Sequence, residues 1–292
     1  MNKLIVDFTP TGMLMRKKDT PHIPVSPQEI IDDVYAAYEI GISCVHLHAR
    51  DEKQNPCYQK EIFEKIVLGI RDFAPDLVIS VTTSGRVYNE YAKRTDVLHL
   101  EGKAKPDLAS LTLSSLNFNR TASINSPEMI QGICQKMNEK GIKPELEVFD
   151  SGMINYGKYM IRKGLLKSPY FFNLILGNIA CAQADLLHVG MLLKDLPEGS
   201  LPILGGIGRA QLPMNAMAIS MGYGIRIGLE DNIWLDEERT RYATNKDLLS
   251  RMHKISEAME RPICTASELR SMLKLKKGYG EYGVDCGGEE KK

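Results

Sequence analysis

The sequence predicts a single-domain (β/α)8 barrel, and three observations carry the prediction. Eight runs of strand character each precede a stretch with a helical apolar period. The connections between these units are too short to hold a second domain. No Gly-x-Gly-x-x-Gly follows the first strand, where Thr11-Gly12 stands instead, so an open doubly wound sheet fits less well. Residues 1–275 are assigned to the barrel, with one extra C-terminal helix. Residues 276–292, Gly- and charge-rich with no apolar period, are expected to form a flexible tail.

Lys3 to Thr9 is the first strand, and a loop runs from Thr11 to Pro24. Ser26-Pro27-Gln28-Glu29 is a capping box with Pro at the first helical position; Ile30, Ile31, Val34, Ala37 and Tyr38 form one stripe, and Gly41 ends the helix. The second strand is Ser43-Cys44-Val45-His46-Leu47-His48, followed by a helix striped by Ile62, Phe63, Ile66, Val67 and Ile70. Leu77 to Val81 is the third strand, running into Thr82-Thr83-Ser84-Gly85, with a helix from about Val87 to Leu100. Leu108 to Leu113 and Pro144 to Phe149 are the fourth and fifth strands, separated by a helix capped at Ser126. A helix from Met153 to Lys163 leads to the sixth strand, Tyr170 to Leu176, and another from Gln183 to Lys194 leads to the seventh, Leu201 to Gly206. Gln211 to Met221 is helical, Gly224 to Gly228 is the eighth strand, and Asn245 to Met259 is the last barrel helix. Thr265-Ala266-Ser267-Glu268 caps the extra one.

Composition narrows the functional classes. Lys+Arg and Asp+Glu both number 37, so no basic excess points to nucleic acid or an anionic membrane surface. No apolar run approaches the length of a membrane span, and Asp7 interrupts any signal-like core. The six cysteines lack paired spacing, which suits reduced thiols in a cytoplasmic protein.

Strand parity then sorts the polar residues. His46 and His48 share one face, with backbones about 7 Å apart, so both imidazoles can converge on one metal. The competing reading is two ordinary interior histidines, each satisfied by a hydrogen bond. Ser80, Thr82 and Ser84 face together on the third strand, as do Ser110, Thr112 and Ser114 on the fourth and Glu145 and Glu147 on the fifth. Asp7 and Thr9, Asn173, and Arg226 with Glu230 complete an inward surface that is polar in at least six strands. Burying that many carboxylates demands positive charge, which a divalent cation supplies.

Glu230 is the expected third ligand, because the eighth, first and second strands adjoin in a closed barrel. Two His and one Glu match the ligand count of a catalytic zinc site. Cys44 lies a layer lower and reads as core filler or a further ligand. Arg226 reads as a buried partner of Glu145 or Glu147, or as a clamp for a substrate carboxylate. Asp231 reads as a general base or as a cap of the following loop.

Four segments together resemble the beta-keto acid cleavage enzyme family: Val45 to Asp51, Pro144 to Met153, Gly205 to Arg209 and Gly222 to Asn232. The resemblance implies a (β/α)8 barrel with Zn2+ on His46, His48 and Glu230. It also implies a Claisen-type condensation and its reversal, converting a small-molecule beta-keto acid and acetyl-CoA into acetoacetate and a new CoA thioester. It makes Asp231 the base, Arg226 its orienting partner and Glu147 a pocket residue. Leu14, Thr82, Ser84, Gly85, Ser110 and Thr112 are the expected substrate-binding set, and a homo-oligomer, dimer or tetramer, is the expected assembly.

Three departures from the family pattern bear on the substrate. Leu14 stands where the 3-keto-5-aminohexanoate enzyme carries an acid for the substrate amine, so the substrate side chain here is not expected to be an amine. Thr82 replaces Ser and keeps the hydroxyl. Leu176 to Ala182 replaces a Gly-rich turn and bears on acetyl-CoA use. A CoA-independent metal-dependent lyase or aldolase, and a non-catalytic barrel with a binding role, are the alternatives.

Overall fold

The computed structural model describes residues 2–285. Its eight barrel strands, all parallel, are β1 (Val6–Phe8), β2 (Cys44–Leu47), β3 (Val78–Val81), β4 (Leu108–Thr112), β5 (Lys143–Val148), β6 (Tyr170–Leu176), β7 (Ser200–Gly206) and β8 (Gly224–Ile227). They close in sequence order, with β1 hydrogen-bonded to both β2 and β8. The expected barrel is therefore the fold. Among the described residues no helix is long and apolar enough to cross a membrane.

Helices α1 (Pro27–Ile40), α2 (Lys60–Phe73), α3 (Tyr91–Thr95), α4 (Pro127–Lys140), α5 (Ser151–Arg162), α6 (Leu186–Asp195), α7 (Gln211–Met221) and α8 (Asn245–Ala258) follow the strands in turn. Their starts are chemically marked. Ser26, Ser126, Asp150, Asp185 and Thr244 each accept a backbone N–H from the first turn, satisfying donors that have no partner inside the helix. Asp150 and Asp185 set the starts of α5 and α6 at positions that apolar period alone misplaces. Outward side chains of the strands, such as Phe8, Val45, Leu47, Ile79 and Leu146, pack beneath the helices in one continuous core.

The lower end of the barrel is closed. Ile5, Cys44, Val78, Leu108, Phe171 and Ile203 form an inward apolar layer, covered by Leu269 and Leu273 of α9 (Ala266–Leu273) and by Cys264. Beside it Asp107, fully buried, accepts from Arg71 at 2.8 Å and from both terminal nitrogens of Arg270 at 2.9 and 2.7 Å. The N–H groups of Ile79 and Gly283 complete its shell. Burial opposes its charge, but the two guanidinium groups hold its carboxyl below the ordinary range.

Residues 276–285, expected to be tail, pack against this end. Tyr282 is 3% exposed and lies over the Arg71 guanidinium, 3.7 Å from Cζ to ring centroid. One aromatic anchor and a carboxylate able to take one more N–H suffice to hold the segment, and neither produces an apolar period. The rest of the expected tail, residues 286–292, lies outside the described residues. A second difference is the helix expected over 87–100, which is cut to α3 and a 3-10 turn, Asp96–His99. Glu90 gives no side-chain cap, and the Asp96 carboxylate is spent on the first N–H of α2, at Lys60.

Asp107→Ala would leave two buried guanidinium groups facing no anion. The variant is expected to lose about 3–5 kcal/mol of stability, read by denaturant unfolding; a loss below about 1 kcal/mol would show that the ion cluster is not what holds this end together.

Candidate metal centre and active site

Above the apolar layer the barrel interior is polar, as parity requires. β2 places His46 inward, and although strand pairing stops at Leu47, His48 keeps to the same side: the two Nε2 atoms are 3.2 Å apart. Glu230 follows β8, its backbone N–H held by the Thr9 carbonyl, and sets Oε1 3.3 Å from His48 Nε2. Donor atoms of His46, His48 and Glu230 lie within 4.8 Å of one another.

These separations test whether a metal fits. Tetrahedral coordination at 2.0–2.1 Å puts ligand atoms about 3.4 Å apart, close to both measured contacts. The second oxygen of Glu230, Oε2, is buried with no hydrogen-bond partner among the described residues. His46 Nδ1 lies 2.9 Å from the buried Glu145 carboxylate, an arrangement in which Nδ1–H donates and the other ring nitrogen faces the cluster. Burial opposes charge on His46, yet the Glu145 carboxylate raises its pKa to about 10, so the surroundings of this ring favour positive charge. Burial lowers the pKa of His48, with the Glu230 carboxylate acting against it. The donor set fits a divalent cation. A second triad, His46 with Glu145 and Glu147, also converges, but Glu145 and Glu147 are engaged by Ser80, Asn173 and Thr112.

Arg226, on β8 and 2% exposed, joins these groups. Its Nη2 is 2.8 Å from Glu230 Oε1, its Nε donates to Asp231 Oδ2 at 2.8 Å, and Nη1 is 3.9 Å from Glu145. Of the two readings the residues left open, a buried partner of Glu145 or Glu147 and a clamp for a substrate carboxylate, the contact with Glu145 matches the first, and Arg226 also pairs with Asp231. Burial works against charge on Glu230, but Arg226 and then His48 hold its carboxyl far below the ordinary range. Burial dominates at Asp231 and, with the nearby Glu230 charge, raises its pKa, the direction a general base needs. Burial also raises Glu147, whose carboxylate accepts from Thr112 at 2.6 Å.

The expected pocket residues divide. Thr112 is bonded to Glu147, whereas Thr82 and Ser84, with Met13, Tyr58 and Tyr88, line a small cavity of about 20 Å³. Ser110 serves its neighbour loop: its hydroxyl accepts the Thr83 N–H and its carbonyl accepts the Thr83 hydroxyl. Gly85 lets Arg94 close on the same loop, since a Cβ there would sit 2.6 Å from Arg94 Nη1. Leu14 is 44% exposed on the β1–α1 loop. A cleft of about 550 Å³ between α4 and α5, lined by Ser114, Asn125, Asp150, Tyr156 and Arg162, includes none of these residues.

Some participants were visible only as inward polar residues with no assigned role. Asn173 bridges Asp7 and Glu145 with one amide, at 2.9 and 2.8 Å, and Ser80 donates to Glu145. Cys44 donates to Asp7 at 3.3 Å, which places it below the ligand cluster. Gly12 carried no signal beyond its place in a loop. A Cβ there would lie 2.6 Å from Glu230 Cγ, so only glycine lets the β1–α1 loop rest on the ligand.

Fold and site define the class: a (β/α)8 barrel with a His-His-Glu cluster and an Arg-held carboxylate at the C-terminal mouth of its strands. The sequence profile of the beta-keto acid cleavage enzymes matches residues 3–275. A 3-keto-5-aminohexanoate cleavage enzyme of Fusobacterium nucleatum is 33% identical over 279 residues, 95% of this chain and 100% of that one. A 3-oxoadipate:acetyl-CoA acetyltransferase of Cupriavidus necator is 32% identical over 275 residues, 93% of this chain and 94% of that one. The structure of ObcA in a ternary complex with a C4-CoA adduct and oxalate superposes with a TM-score of 0.77 at 20% identity, covering 87% of this chain and 68% of that chain. The chain belongs to the beta-keto acid cleavage enzyme family.

Two predictions follow from the geometry. Glu145→Gln removes the charge behind His46 and should weaken divalent metal binding by about 10- to 100-fold in competition with a chromophoric chelator; unchanged affinity would show that Glu145 does not act through His46. Asp7 is raised to about 7, by burial first and Glu145 second. Its contribution to stability is therefore fully present below its ordinary pKa and lost as pH rises through about 7. In chelator-treated protein, the stability of Asp7→Asn relative to wild type should increase from about pH 5 to about pH 8; a flat difference would contradict the burial of an ionisable Asp7.

Proposed function

We propose that the protein is a zinc-dependent transferase that converts a beta-keto acid and acetyl-CoA into acetoacetate and a new CoA thioester. The observation that carries this reading is the convergence of His46, His48 and Glu230 beside an Asp231 carboxylate held by Arg226 and raised by burial. The names of the two relatives, a cleavage enzyme for a beta-keto acid and an acetyl-CoA acetyltransferase, support it.

His46, His48 and Glu230 would hold the zinc ion, which when bound polarises the keto oxygen and stabilises enolate charge. Asp231 takes the proton from the carbon between carboxylate and ketone. Arg226 Nε keeps the receiving carboxylate pointed at one place and offsets its second charge state. The carbanion attacks the thioester carbonyl, expelling the CoA thiolate. That thiolate attacks the former 3-keto carbon and cleaves its bond to the adjacent carbon; the electron pair of that bond stays on the acetoacetate carbanion, which takes back the proton from Asp231 and leaves as acetoacetate, while the remaining acyl group is carried by CoA. Glu147, tied to Thr112, borders the pocket, and Thr82 and Ser84 offer hydroxyls at its edge.

Leu14, apolar and at the mouth, supports a substrate whose side chain is not an amine. Free cysteines support a cytoplasmic setting. Leu186, Leu187 and Met191, 76%, 70% and 51% exposed on α6, support a homo-oligomer, dimer or tetramer.

A panel of beta-keto acids assayed for acetoacetate with acetyl-CoA tests the reading. At least one member should react, and His46→Ala should abolish both turnover and bound metal. Asp231→Asn should retain the metal and lose about 10²–10⁴ in kcat. Turnover with acetyl-CoA omitted would favour the lyase reading, and no turnover above His46→Ala on any member would overturn the proposal.

A further inference from the structure

Three buried arginines at the barrel mouth spend their guanidinium groups on the protein, and a half-buried fourth, Arg86, does not. Arg94 donates to the Thr83 and Ile124 carbonyls and to Asn125. Arg50 donates to the carbonyls of Gly12, Met15 and Gln54. Arg226 holds Glu230 and Asp231. Arg86, half-buried on the β3–α3 loop, donates only Nε–H, to Thr121 at 3.1 Å. Its terminal nitrogens have no partner, and no carboxylate lies within ion-pair distance, among the described residues.

Arg86 is nonetheless held in place. Its Cζ sits 3.7 Å from the Phe118 ring centroid, and Phe118 packs edge-on against Phe149 at the end of β5, 5.8 Å between centroids. The loop beneath it is pinned: Thr83 bonds to Ser110, Arg94 bonds to Thr83, the Ser84 N–H donates to Thr82, and the Arg86 N–H donates to Ser84. Arg86 follows β3, so it stands at the C-terminal end of the strands, as His48 and Glu230 do after β2 and β8, and Glu230 is the acid whose charge reaches it. A half-desolvated, preorganised cation with a planar pair of unused donors is what a carboxylate requires.

We propose that Arg86 is a specificity-determining residue that binds a second, distal carboxylate of the beta-keto acid, so that the preferred substrates are beta-keto dicarboxylic acids. This rests on the function proposed above and deepens it. The shared chemistry, an oxyanion, is also that of the CoA phosphates, and the measurement separates the two.

The test compares two beta-keto acids matched in length, one ending in a carboxylate and one in a methyl group, on wild type, Arg86→Gln and Arg86→Lys. Wild type should favour the carboxylate. Arg86→Gln should lower the carboxylate-to-methyl ratio of kcat/KM by about 100-fold, mostly through KM of the keto acid, and Arg86→Lys should recover part of it. An equal loss on both acids, or a rise in KM for acetyl-CoA in place of the keto acid, overturns the proposal. Glutarate binding by calorimetry gives a readout independent of turnover: wild type should bind it at least about 10-fold more tightly than Arg86→Gln. If neither acid reacts, the proposed function fails, and glutarate alone decides Arg86: equal binding by the two proteins overturns it.

Discussion

The site depends on one buried guanidinium. Arg226 lies near the barrel axis with Glu230 and Asp231 at 2.8 Å and Glu145 at 3.9 Å, and it also senses the charges of Glu147 and Asp7. Several carboxyl groups share one small interior with one guanidinium and two imidazoles. Burial makes every one of those negative charges costly, and only some can be compensated. The outcome is a sorting. Glu145 and Glu230, each paired with an imidazole, are driven to remain ionised, while Asp7, Glu147 and Asp231, which pair with none, are pushed toward the neutral acid. Glu230 and Asp231, carboxylates on adjacent residues, are thereby separated by electrostatic position.

The two ends of the barrel solve the same problem differently. At the lower end Asp107 has two guanidinium groups and two backbone N–H donors, and neither of its oxygens is left without a partner. At the mouth the cluster is under-saturated: Glu230 Oε2, Arg226 Nη1, Thr9 Oγ1 and Thr11 Oγ1 are buried without hydrogen-bond partners among the described residues. Saturated charge fixes structure, and unsaturated charge is available for binding.

Much of this was legible in the chain. Period-2 parity in the strands foretold the inward set of Asp7, His46, Ser80, Glu145, Asn173 and Arg226, because a residue's face in a strand depends on nothing beyond its neighbours. Closure of the barrel then brought Glu230 to His48. What stayed hidden depends on approaches between loops distant in sequence. The contact of Gly12 with Glu230, the stacking of Arg86 on Phe118 and the docking of Tyr282 on Arg71 have no local period. The helix expected to start at Val87 failed for a related reason: Asp96 and Arg94 are used by α2 and by the Thr83 loop, so tertiary partners overrode local propensity.

Those loop contacts also connect chemistry to specificity. Arg50, whose own strand segment follows His48, donates to the carbonyls of Gly12 and Met15 and so pins the loop that carries Leu14. Gly12, in the same loop, rests on Glu230. On the opposite side Asn178, in the turn that departs from the family pattern, donates to the Asn117 carbonyl, next to the Phe118 ring under Arg86. The mouth is thus built from two braces, one tied to the ligand cluster and one to the β6 turn. The β6 turn touches the segment under Arg86, and the loop that carries Leu14 touches Glu230 at Gly12. The loop that carries Leu14 is therefore in direct contact with the His-His-Glu cluster through Gly12, whereas Arg86 rests on Phe118 and is joined to the cluster by no contact among the described residues.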